Sequence, residues 1–264
     1  MIRYLHLYKV YIKRAIKARL EYKADTIIGI LSFLISNVAT FSCIWMVIQA
    51  IPSLDGWTIW ELGFLYGFAM LPKGLDHLFT DSLWFIGYWY VKNGLFDKHL
   101  VRPVNTLFQI IAETFQPEAF GELIIGTCLC IVCAFNISII WSFGNVLLLI
   151  VAVFIGAFIF TGVKLITCSL AFWIKRSGPL MNSVYNFCDF ARYPITIYDK
   201  PMQFFLAFIV PFGLIISIPV QIVLKGTWSP YWVMGVIILA ATLLMTIGVV
   251  LWNAGVKAYE STGS

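Results

Sequence analysis

Apolar residues along this chain come in long blocks, and polar residues fall in short stretches between them. Ala24 to Ala50 is rich in Ile, Leu, Phe and Val. At about 1.5 Å per helical residue it is long enough to cross about 30 Å of hydrocarbon. A second block begins near Ile59 and turns polar after Met70, with Lys73, Asp76, His77 and Asp81. Phe108 to Phe135 reads as a third helix, with Glu113, Glu118 and Glu122 in its first half. Phe143 to Ile174 is apolar apart from Lys164, and Tyr231 to Trp252 is another clear span. Two segments compete for the remaining crossing. Leu180 to Tyr198 is semi-polar, with Asn182, Ser183, Asn186, Asp189 and Arg192; Met202 to Val223 is strongly apolar but broken by Pro211 and Pro219. Either 202–223 crosses and 180–198 lies on the surface, or 180–198 crosses as a protein-facing helix. In the second case 202–223 is a re-entrant pair of half-helices, which membrane proteins tolerate where the backbone is buried in protein. Both solutions predict an all-α integral membrane protein of six spans, in one domain over 1–264.

The polar stretches predict elements of their own. Residues 1–23 carry Arg3, Lys9, Lys13, Arg14, Lys17, Arg19 and Lys23, with Leu5, Tyr8, Ile12, Ala15 and Leu20 at helical steps. That is a basic amphipathic helix, suited to the headgroup plane and attracted by anionic lipid. Ser82 to Val91 (SLWFIGYWYV) is aromatic and amphipathic, fit for an interface. Tyr90 to Leu107 (YVKNGLFDKHLVRPVNTL) is the polar centre of the chain. Gly94 can end the helix before it in a left-handed cap. Pro103 can open the helix after it, and Asp97 with Arg102 can pair and stiffen the turn.

Composition agrees with the pattern. Of 264 residues, 61% are hydrophobic and 12% charged, against about 25% charged in a soluble domain. The net charge of +5 does not signal nucleic acid, because seven of the eighteen basic residues lie in the first 23 positions. It orients the chain instead. The N-terminus is basic, 51–58 has no basic residue, 92–102 has three, 136–142 has none and 175–176 has two. This alternation puts both termini and the 90s loop in the cytoplasm. No cleavable signal peptide is expected, since the basic region and the first apolar run are both too long for one.

Candidate chemistry is sparse. Cys43, Cys128, Cys130, Cys133, Cys168 and Cys188 all fall in apolar segments; they read as buried helix residues rather than disulfides or a metal site. The three histidines have no metal spacing, and no constellation suggests catalysis. No G-x-x-x-x-G-K-[ST] occurs, so any ATP hydrolysis belongs to another chain. Asp76, His77 and Asp81 could relay protons in a gradient-driven transporter. At four-residue spacing Lys73, His77 and Asp81 could equally form ion pairs at the inner interface. Lys164 is the most isolated intramembrane charge: it can pair with a carboxylate, snorkel or line a pathway. Glu118 and Glu122 can face an ATPase groove or an inner vestibule. Asn182, Asn186 and Asp189 are candidate pathway or dimer-facing groups if 180–198 crosses.

Three stretches carry a family likeness. Gly94, Asp97, Leu100, Arg102 and Pro103 follow a G-x-x-D-x-x-L-x-R-P pattern; FWIKRSG closes the fourth span at 172–178; RYPITIYDKPMQFFLAFIVP stands at 192–211. With the basic amphipathic start, the chain resembles the permease subunits of type 2 ABC exporters. The branch was first catalogued as a domain of unknown function and is associated with viologen and other drug export. The resemblance implies a non-enzymatic subunit of a bacterial inner membrane. It would pair with a second permease, identical or homologous, and with two ATP-binding subunits that hold ATP and Mg, with no cofactor of its own. It implies a cytoplasmic coupling region at 82–103, with Lys92, Gly94, Asp97, Lys98, Leu100, Arg102 and Pro103 meeting the ATPase. It also implies a helical hairpin outside after the fifth span, and export of an amphipathic or hydrophobic substrate.

Overall fold

A computed structural model describes residues 2–21, 23–50 and 56–261 of the chain. The described residues form helices and no strand. Helix α1 is Ile2–Glu21, α2 is Lys23–Ala50 and α3 is Ile59–Thr80. Residues 51–55, most of the expected first outer loop, lie outside the described residues. Thr58 starts α3 with a reciprocal cap: Glu61 N–H donates to Thr58 Oγ1 at 3.3 Å, and Thr58 N–H donates to the Glu61 carboxylate at 2.7 Å. Two orphan amides are thereby satisfied where the helix begins.

The expected single helix over 108–135 is broken in two. Helix α4 is Thr106–Glu113 and α5 is Phe120–Ala134, joined through a short 3₁₀ turn at Pro117–Ala119. Pro117 brings no amide for a continuing helix, and the Gln116 amide turns to the Leu78 carbonyl at 3.2 Å. Pro103 does not open α4 either. Asn105 caps it, accepting from the Phe108 amide at 3.1 Å, and an Asn side chain serves a first-turn amide that Pro cannot.

Helix α6 is Phe143–Ser169, α7 is Gly178–Asn186, α8 is Ser217–Lys225 and α9 is Pro230–Ala258. Helices α6 and α9 pack along most of their length, and α3 lies between α5 and α6. Among the described residues, Pro117–Ala134, Phe143–Ile174 and Pro230–Ala258 are long and apolar enough to cross a membrane. Lys200–Ile209 and Phe212–Lys225, bent by 78°, make a fourth candidate.

Small residues let these helices approach without a hydrophobic drive between them. At the α3–α5 crossing a Cβ on Gly126 would stand 2.7 Å from the Gly67 carbonyl oxygen. Gly126→Ala is therefore expected to destabilise the fold by about 1–3 kcal/mol through overpacking. A lowered unfolding temperature of the detergent-solubilised protein checks this; an unchanged one contradicts the tight crossing.

The two ends of the bundle are distinct. At one end Lys225 lies over the Trp57 ring at 4.3 Å, Ile140 N–H donates to Val223 O at 3.0 Å, and Gly144 abuts Pro230. At the other, Phe96, Phe172, Trp252 and Leu83 share a buried cluster with Met181. The segment from Gly178 starts at this second end, where Gly178 meets Tyr88. It passes Phe160 at Tyr185 and reaches the level of Tyr66 at Arg192, 5.4 Å above that ring. Lys200 and Gln203 then line a cavity of about 470 Å³ together with Thr227 and Trp232, so the chain has come to the first end. The bent pair dips from there: Phe212 stacks on Phe160 at 4.5 Å, and α8 leads back to Lys225. Both ends of the pair thus lie at the same end of the bundle.

Candidate functional site

The charges that sequence reading scattered over three helices meet inside the bundle. Lys164, on α6, is buried with its Nζ 2.8 Å from Asp76 Oδ2 and 2.8 Å from Asp81 Oδ1. Asp76 Oδ1 accepts from the Thr80 hydroxyl at 2.6 Å and the Thr161 hydroxyl at 2.8 Å. Asp76 Oδ2 also accepts from the Tyr185 hydroxyl at 2.9 Å. These donors fill the lone-pair directions a carboxylate offers. Asp76, His77 and Asp81 have the spacing of a cation site; the cation between the two carboxylates is the Lys164 ammonium.

The chain of contacts continues. Tyr185 Oη lies 2.9 Å from His77 Nε2, and His77 Nδ1 lies 2.9 Å from Glu122 Oε2. Hydrogen-bond logic assigns the protons. Asp76, held by Lys164, can only accept, so the single Tyr185 proton points to it. His77 Nε2 must then donate to Tyr185. Nδ1 and Glu122 are left to share one further proton, as imidazolium with carboxylate or imidazole with carboxylic acid. In either form the pair is neutral, and α3, α5, α6 and α7 are tied by one polar chain. Lys73 lies 5.6 Å from the Tyr185 ring.

This corrects one expectation and decides another. Glu122 is buried and turned to His77, facing neither a groove nor a vestibule. Of the roles open to Lys164, it takes the pairing with carboxylates, at the centre of the cluster. Tyr185 and Thr161 are linkers that sequence reading missed: each looks like an ordinary helix residue, and only the meeting of α6 and α7 with α3 gives them a role. Asn182 and Asn186 are exposed on one face of α7. Asp189 pairs with Arg192 at 3.1 Å.

The 82–103 region forms a second site. A helical turn at Leu83–Phe85 runs into a wider turn at Ile86–Tyr90, and a short helix follows at Asp97–Leu100. Gly94 adopts φ 69°, the left-handed conformation expected of its cap. Phe96 is buried among Phe172 at 5.0 Å, Tyr259 at 5.2 Å and Trp252 at 5.9 Å. Asp97 does not pair with Arg102; Oδ2 accepts from the Ser261 hydroxyl at 2.6 Å. The turn is therefore stiffened from outside, by aromatic packing and the C-terminal segment. Lys98 lies 4.8 Å over the Tyr90 ring and 3.3 Å from Glu113. Burial holds the His99 imidazole below its ordinary value, partly offset by Glu113. Lys92, Leu100, Arg102 and Pro103 are exposed.

The family described as ABC-2 family transporter protein matches residues 34–263. No curated protein and no solved structure matches the chain.

Proposed function

The chain belongs to the ABC-2 transporter family, and from that membership we propose an ATP-driven exporter in which it is the permease. Its place as a membrane subunit of an ABC transporter follows from the family; the direction, coupling and assembly are our reading. The chain sits in a bacterial inner membrane with both termini in the cytoplasm, as the distribution of basic residues supports. Two copies, or one copy and a homologue, pair with two ATP-binding subunits that carry ATP and Mg. Six crossings are formed by α2, α3, the α4–α5 run, α6, the 178–198 segment and α9. The bent pair is then a re-entrant hairpin on the outer side, in keeping with Lys200 at its start lying beside Trp228 and Trp232 and Lys225 at its end lying over Trp57.

One observation carries the coupling. The loop buries Phe96 against the inner ends of α6 and α9 while leaving Leu100 at 43% and Val101 at 83% exposure. A cytoplasmic apolar surface fastened to two long helices suits a contact that must move them as a body. ATP binding draws the ATP-binding subunits together, the loops follow, and the paired permeases open outward. The exposed Asn182 and Asn186 beside apolar neighbours suit an amphipathic or hydrophobic substrate at the permease interface.

Leu100→Asp combined with Val101→Asp is expected to abolish copurification of the ATP-binding subunit while the chain stays in the membrane fraction. Undiminished copurification would remove the loop from the interface. Transport that survives without the ATP-binding subunit and collapses with the proton gradient would favour the gradient-driven reading through Asp76, His77 and Asp81.

A further inference from the structure

A cavity of about 580 Å³ lies between α1 and the 90s loop, lined by Arg14 and Arg102 with Leu7, Val10, Tyr11 and Glu113. The two guanidiniums come from segments far apart in sequence. Among the described residues neither has an acidic partner within ion-pair distance, whereas Glu113 is engaged by Lys98 at 3.3 Å and faces His99 at 3.5 Å. The cavity therefore presents two unneutralised cations over an apolar wall supplied by α1. Helix α1 itself is seated on α4, where Tyr4 meets the Phe108 ring edge-on at 4.8 Å and Tyr8 lies 6.4 Å away. Guanidinium forks match phosphate oxygens in geometry as well as charge. An anion with an attached apolar body satisfies both halves of the lining.

We propose that Arg14 and Arg102 clamp the phosphate of one anionic phospholipid of the inner leaflet between α1 and the 90s loop. The acyl chains run along Leu7 and Val10, and Tyr11 stands beside the headgroup. A lipid so held fastens the amphipathic helix to the loop. The site depends on the chain being a membrane protein with α1 at the bilayer surface, and not on which substrate is moved or how.

The test is native mass spectrometry of the purified full-length protein in neutral detergent, titrated with phosphatidylglycerol and, separately, with phosphatidylcholine. The parent is expected to hold one phosphatidylglycerol more tightly than the rest and to show no such preference for phosphatidylcholine. At about 1 kcal/mol per basic residue at the surface, Arg14→Gln should weaken that site about fivefold, and Arg14→Gln with Arg102→Gln about thirtyfold. Lys13→Gln, elsewhere on the exposed surface of α1, should leave it unchanged. Because Arg14 is exposed on a surface helix, its single variant tests the site even if the double variant folds poorly. Equal phosphatidylglycerol binding by parent and Arg14→Gln overturns the proposal. So does displacement of the lipid by millimolar inorganic phosphate, which would mark a free-phosphate site. Loss of the ATP-binding subunit from Arg14→Gln with lipid binding intact would assign the cavity to a protein partner and also overturn it.

Discussion

Lys164→Met is expected to destabilise the bundle by about 3–5 kcal/mol, the cost of removing one partner from a buried ion pair. The change is large because Lys164 serves two carboxylates at once, each 2.8 Å from its Nζ. Without the ammonium, the buried Asp76 carboxylate and Asp81 are left with no cation between them. Asp76 keeps its Thr80, Thr161 and Tyr185 donors, but those neutral hydroxyls do not cancel a charge. Adding Asp76→Asn and Asp81→Asn to Lys164→Met should recover most of the loss, since a neutral, well-packed replacement of a buried pair is often tolerated. The measurement is the unfolding temperature of each variant in detergent, followed by tryptophan fluorescence. Equal unfolding temperatures for Lys164→Met and the parent would mean that Lys164 is hydrated and the polar chain open.

Phe96→Ala is expected to give the second large effect, on function more than on assembly. Deleting a buried aromatic ring costs about 3–5 kcal/mol, and here the cost falls on one joint. Phe96 is the only ring of the loop that touches Phe172, Trp252 and Tyr259 together among the described residues. At about 3 kcal/mol, the loop would detach from α6 and α9 on the order of a hundredfold more often. Leu100 and Val101 remain in place, so the ATP-binding subunit should still copurify. Transport in vesicles should fall by about tenfold or more, with ATP hydrolysis retained, because motion of the loop no longer reaches the helices. Full transport by Phe96→Ala would show that force passes elsewhere. This separates a defect in transmission from the defect in docking expected of the Leu100 and Val101 changes.

Much of the fold was legible before any contact was known. Apolar blocks gave the helices, and the Gly94 cap appeared with the conformation its position demands. The misreadings were local and had local causes. The helix expected over 108–135 breaks at Pro117, and Asn105 takes the capping role assigned to Pro103. Nearness in sequence offers Arg102 as a partner for Asp97, whereas the Ser261 hydroxyl it accepts from is 164 residues away. At the site, the sequence offers the charged residues but not which carboxylates Lys164 meets. Tyr185 and Glu122 could not be linked to His77 from spacing, since 108 and 45 residues separate them from it.

The sequence by itself determined that this is a helical membrane protein and which of its loops are basic. Those properties are carried by single segments: hydropathy by one helix, charge by one loop, a turn by one glycine. Tertiary structure alone decided that Lys164 lies between Asp76 and Asp81 and that the 90s loop is fastened at Phe96. It also set Arg14 beside Arg102. These follow from the depth and rotation at which separate helices pack. A buried charge takes its partner from whatever the neighbouring helix presents at that level, and no periodicity within one segment records it.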